Sequence, residues 1–348
     1  LIVAGGALEK PGGREALRAF AQAWQIPVAV SFRRHDLYPN DDALYAGELG
    51  LSNPDRQIDA FQRSDLVLAL GTRLGDVPTQ GYRFPTLPRP GQRLVHCYPD
   101  DHVVGLNFAA DHGLVCDPVA LLEQLAHDAD PGVPGHRDPE WAAELRALHQ
   151  QRAAWNIGNP PDGVDFNHVV RSLATHAPDD VIVCLDAGTF AAPVYRHFPF
   201  AGTQRLMSPL AGAMGYGTPA AIASALRHPG RKTVCLVGDG GFLMTGNEMI
   251  AAVQRRLPIL FIVSNNNSYG SIRLHQERYY PGRISGTALG NPDFPALAAA
   301  FGMAARRVDS ADQVDAAIAQ GLQAREPQLI EVRSSLQAVL PGADLPRG

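Results

Sequence analysis

Two apolar runs, TVCLVG at 233–238 and PILFIVS at 258–264, constrain the fold of this chain more than any other feature. Each has the length of a strand, and helix-forming residues fill 242–256 between them. A strand, a helix and a second strand in that order predict a parallel pair joined by a crossover. The crossover returns the chain to the same end of the sheet. The residues following the two strands, Asp239 after the first and Asn265 and Asn266 after the second, therefore leave from one carboxyl edge. Asp239 is expected at a solvent-facing strand end.

The same alternation runs along the whole chain. LIVAGG, IPVAVS, DLVLALG and QRLVHCY read as strands in the first part, with helices at 14–24 and 119–127 and the end of another at 58–63. In the second part, helices at 166–176, 215–227, 294–301 and 310–324 and the strands VIVCLDAG and PQLIEVR surround the central pair. The stretch at 128–139 is rich in Pro, Gly and Asp and sustains neither helix nor sheet. Helix-forming residues follow at 139–155, and then a second turn-rich stretch, GNPPDG. The expected architecture is α/β: two doubly wound parallel-sheet domains, 1–130 and 161–348, joined by a linker at 131–160. Each sheet should carry a crevice at its strand ends.

With 348 residues the chain is long enough for two cores. A formal net charge of -5, spread without basic or acidic blocks, offers no footprint for nucleic acid or an anionic membrane. No apolar run approaches the roughly 20 residues that span a bilayer, so a cytoplasmic protein acting on small molecules is expected. Cys184 and Cys235 lie inside strand runs and read as buried thiols. The chain opens at Leu1, directly in a strand and without an initiator Met, and reads as a piece of something longer.

The pair Asp239 and Asn266 is where chemistry is expected. One carboxylate and one amide oxygen at a shared edge suit a hard cation, and Mg2+ takes oxygen ligands with few protein carboxylates. Gly240 and Gly241 open the crossover helix, where bare backbone N–H groups can face a diphosphate. A tight turn and a strand cap would explain either motif alone. The pair at this spacing, each after an apolar strand, argues for a site.

The segment from Gly238 to Gly270 resembles the thiamine-diphosphate motif, in which GDG is followed after a crossover by NN. The resemblance implies Mg2+ ligation by Asp239, by the Asn266 side chain and by the Ser268 main-chain carbonyl. Gly238, Gly240, Gly241 and Tyr269 would then lie against the cofactor. Asn267 stands where many relatives have Gly, which implies a tight backbone that Asn tolerates at positive φ. SPLAGAMGYGTPAAIA resembles the run that holds the pyrimidine ring through the Gly212 carbonyl and the Met214 N–H, with the Met214 side chain as a wedge. LDAGTF resembles the loop that binds the far phosphate, with Thr189 hydroxyl and Phe190 N–H as donors. The first part, from LIVAGG through LALGTRLGD, resembles the central domain of the same enzymes.

Complete members of this family carry a further domain ahead of the central one, with the glutamate that activates the cofactor. No catalytic residue is therefore assigned here. Glu248, inside the crossover helix, reads as structural, and the stretch alone is expected to be inactive. NNNSYGSIRLHQERYYPG leans towards the acetolactate-synthase-like and benzoylformate-decarboxylase-like branches. Ile272 stands where pyruvate decarboxylases carry an acid, His275 where true synthases carry a tryptophan, and Val77 where they carry an arginine. Ile272 and His275 are assigned to the substrate pocket. The resemblance implies a homodimeric or homotetrameric enzyme that decarboxylates a 2-oxo acid and ligates the remainder to a second carbonyl. Non-oxidative decarboxylation is the alternative, and a non-catalytic module of the same fold is a third reading. FAD is known in the central domain of the synthases, but VHCYPDD lacks their D-x-D wording and argues against it here. The opening LIVAGGALEKPGG does not satisfy the G-x-G-x-x-G of a dinucleotide-binding oxidoreductase.

Overall fold

A computed structural model of the chain describes residues 1–128 and 138–339. Most of the Pro-, Gly- and Asp-rich stretch read at 128–139, and with it the start of the linker read at 131–160, lies outside the described residues, at 129–137. The chain forms two units, Leu1–Ala153 and Ala154–Gly348.

The first unit contains β1 (Ile2–Ala4), α1 (Gly13–Trp24), β2 (Val28–Ser31), β3 (Tyr45–Leu49), α2 (Asp55–Gln62), β4 (Leu66–Leu70), β5 (Arg93–Tyr98), β6 (His112–Val115), α3 (Pro118–His127) and α4 (Pro139–Ala153). Its six strands pair in parallel in the order β3-β2-β1-β4-β5-β6. The order reverses between β1 and β4, as in a doubly wound sheet. Ile2 and Ala4 face a cluster with Leu17 and Phe20 of α1 and Leu122 of α3. Val3, pointing the other way, joins Phe61 of α2 and Leu145 and Leu148 of α4.

Helix α4 falls in the stretch set aside as linker, yet it packs on this unit. Its Trp141 indole donates to the Ala60 carbonyl at 2.9 Å, and Arg152 pairs with Glu48 at 3.0 Å. Strands β3 and β6 were not anticipated. In β3, Gly47 takes φ 101 and the register with β2 shifts, while β6 is an edge strand with exposed side chains. Neither carries the apolar signature of a covered strand.

The second unit contains α5 (Asn167–His176), β7 (Ile182–Leu185), α6 (Ala192–His197), β8 (Arg205–Met207), α7 (Gly217–Arg227), β9 (Thr233–Gly238), α8 (Asp239–Thr245), α9 (Met249–Gln254), β10 (Ile259–Asn265), α10 (Gly270–Tyr279), α11 (Phe294–Ala300), β11 (Ala304–Val308), α12 (Val314–Gln323) and β12 (Gln328–Arg333). Its sheet, again parallel throughout, has the order β11-β12-β10-β9-β7-β8. The two apolar runs become β9 and β10 at its centre. Val234, Leu236, Leu260 and Ile262 pack on one side with Leu173 of α5 and Ile318 of α12. Cys235, Val237, Ile259, Phe261 and Val263 pack on the other with Ala221 of α7, Ala252 of α9 and Phe294 of α11. Both faces are dry, which is why neither run has room for polar alternation.

The crossover helix read at 242–256 is two helices. α8 starts earlier, at Asp239, and a 3-10 turn at Gly246–Glu248 separates it from α9. The turn sits where Gly246 lies against the Phe242 ring, so close that a Cβ there would come within 2.8 Å of it. Helix α10 and edge strand β11 were also unforeseen, and both are rich in polar and charged residues. All four cysteines are free, with Cys184 and Cys235 buried. Among the described residues no helix is long and apolar enough to cross a membrane.

Truncating a β10 side chain tests this core. Phe261 is fully buried, so Phe261→Ala should lose about 3–5 kcal/mol of unfolding free energy, measured by urea denaturation.

Candidate functional site

Parallel pairing in register brings the site together. Gly238 of β9 stands beside Ser264 of β10, and Asn265 beside Arg333 of β12. The residues that follow these strands, with the loop after β7, line one cleft of the second unit. It collects Thr189, Phe190, Met214, Gly238, Asp239, Gly240, Gly241, Asn266, Ser268, Tyr269 and Ile272, all anticipated from the sequence. Gly212 and His275 are not among its lining residues. Gly212 sits at φ 72 in an exposed turn, and the exposed His275 stacks on Tyr279 with ring centres 6.0 Å apart. Glu248 is exposed and also outside the lining.

Asp239 is not at a solvent-facing strand end. It is the first residue of α8 and only 3% exposed. Its Oδ1 accepts from the Gly240 N–H at 2.9 Å and its Oδ2 from Asn291 Nδ2 at 2.9 Å. Burial raises the carboxyl pKa above the ordinary range, opposed by these donors and by the Ser268 and Asn267 N–H groups. All of these partners are neutral. A buried carboxylate with only neutral donors retains a strong preference for a nearby cation.

Across the cleft, the two asparagines at the end of β10 separate in role. Asn265 is buried and donates to Glu331 Oε1 at 2.7 Å, which leaves Asn266 to line the cleft. Asn266 Oδ1 accepts from the Ser268 N–H at 3.1 Å. Asn267 between them takes φ 54, the tight conformation expected there. Tyr269, at φ -69 and ψ 71, is the centre of an inverse γ-turn in which Gly270 N–H donates to the Ser268 carbonyl at 2.8 Å. Asp239, the Asn266 amide and the Ser268 carbonyl are thus hard oxygen donors at one cleft, a set that fits Mg2+.

The glycines serve packing as well as backbone access. A Cβ on Gly240 would lie 2.6 Å from the Tyr269 ring and 3.3 Å from Met214 Cε, and one on Gly241 would lie 2.8 Å from Asp186 Oδ1. Asp186 was overlooked in the sequence, though it ends an apolar strand as Asp239 does. It is fully buried. Its Oδ1 accepts from Ala187 N–H at 2.8 Å and Gly215 N–H at 3.0 Å, and its Oδ2 from Gly217 N–H at 2.7 Å. One carboxylate therefore holds the loop that carries half-buried Met214. Ser271, at the start of α10, likewise accepts from the Thr189 N–H at 3.1 Å and ties the loop after β7 to the wall bearing Ile272. Neither Ser271 nor Asn291 carries a sequence signal that separates it from ordinary loop residues.

Residues 1–125 match the family described as thiamine pyrophosphate enzyme, central domain, and residues 186–332 match thiamine pyrophosphate enzyme, C-terminal TPP binding domain. The acetolactate synthase large subunit of Parasynechococcus marenigrum is 29% identical over 335 residues, covering 95% of this chain and 53% of the relative. The acetolactate synthase isozyme 2 large subunit of Escherichia coli is 27% identical over 334 residues, covering 95% of this chain and 59% of the relative. The chain thus spans little more than half the length of these relatives. Among solved structures, the thiamine diphosphate-dependent 4-hydroxybenzoylformate decarboxylase of Rhodococcus jostii superposes with a TM-score of 0.78 at 22% identity, over 96% of this chain and 61% of that one. That likeness extends to the fold.

Asp186→Ala should destabilise the second unit by on the order of 3 kcal/mol, since it strands buried N–H donors that a charged acceptor now satisfies. Limited proteolysis should also cut faster in the 209–216 loop. Asp186→Asn, which keeps the shape and one acceptor, should show the smaller effect in both assays.

Proposed function

Because the chain belongs to the thiamine pyrophosphate enzyme family, we propose that it binds thiamine diphosphate through Mg2+. We further propose that the whole protein decarboxylates a 2-oxo acid and joins the remainder to a second carbonyl. The observation that carries this reading is Asp239, a carboxylate 3% exposed with neutral partners, sharing a cleft with Asn266 and Ser268. Acetolactate synthases among the relatives support the substrate class.

The chemistry supplied by bound thiamine diphosphate is that of an electron sink for decarboxylation. This chain's residues hold and orient. Asp239, the Asn266 amide oxygen and the Ser268 carbonyl give the cation its protein ligands. The Gly241 N–H, with the Thr189 hydroxyl and Phe190 N–H, would face the phosphates. The Met214 N–H and side chain, on the loop that Asp186 holds, would meet the pyrimidine, and the Gly212 carbonyl, outside the cleft lining here, would have to turn towards it to do the same. Ile272, 51% exposed on the first turn of α10, presents an apolar wall. It offers no proton to what remains after carbon dioxide leaves, which favours attack on a second carbonyl. The family's activating glutamate is proposed to come from outside this stretch, which alone should not turn over 2-oxo acids.

Two measurements test the reading. Thiamine diphosphate should raise the melting temperature of the protein only when Mg2+ is present, and Asp239→Ala should remove that shift. A shift that survives in Asp239→Ala would refute the assignment of the cation site. Ile272→Glu, in the full chain, should move products from the ligated acid or ketone towards free aldehyde. If wild type releases only aldehyde from every 2-oxo acid offered and the variant does the same, simple decarboxylation replaces carboligation as the activity.

A further inference from the structure

The segment between α10 and α11 sends one side chain into the cation site from behind. Asn291 Nδ2 lies 2.9 Å from Asp239 Oδ2, 2.8 Å from Asn265 Oδ1 and 3.3 Å from Asn267 Oδ1. All three are acceptors, so the donor end of the amide must face them. The other end, Oδ1, is buried and meets no donor among the described residues.

An amide whose purpose was to pin its own loop would use both ends, and this loop is pinned by other means. Leu289 N–H donates to the Asn267 carbonyl at 2.9 Å, Asp293 caps α11 through the Ala296 N–H at 3.0 Å, and Arg307 pairs with Asp293 at 3.0 Å. Leaving a buried carbonyl oxygen unpaired is unfavourable. What the amide gains is its hold on Asp239.

The post it pulls against is rigid. Asn265 cannot turn its Oδ1 away, because its Nδ2 is committed to Glu331 Oε1 at 2.7 Å. Glu331 is 1% exposed and fixed in turn by Arg307 Nε at 2.8 Å. A continuous chain therefore runs from Arg307 through Glu331, Asn265 and Asn291 to Asp239, across β11, β12, β10 and the start of α8. With the Gly240 N–H on Oδ1 and Asn291 on Oδ2, both oxygens of Asp239 have their orientation set.

We propose that Asn291 is a positioning residue that fixes the Asp239 carboxylate in the orientation Mg2+ requires; this rests on the reading of Asp239 as a cation ligand. The consequence is selectivity. Mg2+ demands near-ideal octahedral geometry, whereas Ca2+ tolerates longer and looser coordination. Releasing Asp239 should therefore penalise Mg2+ more than Ca2+, which general loss of stability would not do.

The test is calorimetric titration of the purified full chain with Mg2+ and with Ca2+ at saturating thiamine diphosphate, alongside the melting temperature of the cation-free protein. Asn291→Ala should weaken Mg2+ binding by roughly tenfold to a hundredfold and Ca2+ binding by clearly less. Asn291→Ser, which retains a short donor and is read on the same Mg2+ to Ca2+ ratio, should recover part of the preference; it also serves if the alanine variant does not fold. Wild-type Mg2+ affinity in either variant, or equal losses for the two cations, would overturn the positioning role. Absence of cation binding in wild type would instead overturn the reading of Asp239 itself, and the proposal with it.

Discussion

The pairing of β9 with β10 is the constraint on which the rest depends. Two strands with both faces buried lie side by side in a parallel sheet sheathed by helices, and their register, Gly238 beside Ser264, decides what emerges at the edge. A slip of one residue would exchange the two packed faces of β10 and carry Asn266 out of line with Asp239. Core packing and site geometry are therefore one requirement. The side chains that exclude water from the sheet, Val237 and Val263 among them, immediately precede the polar residues that line the cleft.

Buried carboxylates do the remaining positioning. Asp186 gathers the backbone of the Met214 loop, Glu331 locks Asn265, and Asp239 faces the cleft. The first is satisfied by backbone N–H groups and the second by an arginine and an amide. Asp239, at the cleft, is held by neutral donors, and burial raises its pKa. That difference in placement separates the carboxylates turned into the fold from the one that faces the cleft, although all three follow or lie within apolar strands. It also explains why a single-residue motif such as GDG says little until its neighbours are known.

Helix α10 meets the cleft at its N-terminal end. Ile272 reaches it from the first turn of α10, while His275, one turn further on, points its ring at Tyr279 instead. The two residues anticipated for a substrate pocket thus part company, Ile272 lining the cleft and His275 lying outside it. The apolar residue is presented at the cleft, and the exposed histidine belongs to the surface of α10.

The sequence by itself determined the two α/β layers, the central strands, the shared edge of Asp239 and Asn266, and the positive φ of Asn267. These follow from short-range facts: apolar runs, helix-length spacings, and glycine or asparagine where the backbone turns. It did not disclose β6, β11 or α10, which bury too little to leave an apolar signature, nor β3, whose buried run YAGEL is broken by a glycine and a glutamate. Nor did it mark Asp186, Ser271 or Asn291. Their roles depend on donors and acceptors from remote parts of the chain, such as Asp186 meeting Gly215 and Asn291 meeting Asp239. Only the tertiary structure decided those, because a hydrogen bond is specified by where two groups meet in space and a polar residue in a loop reads the same whether or not a partner awaits it.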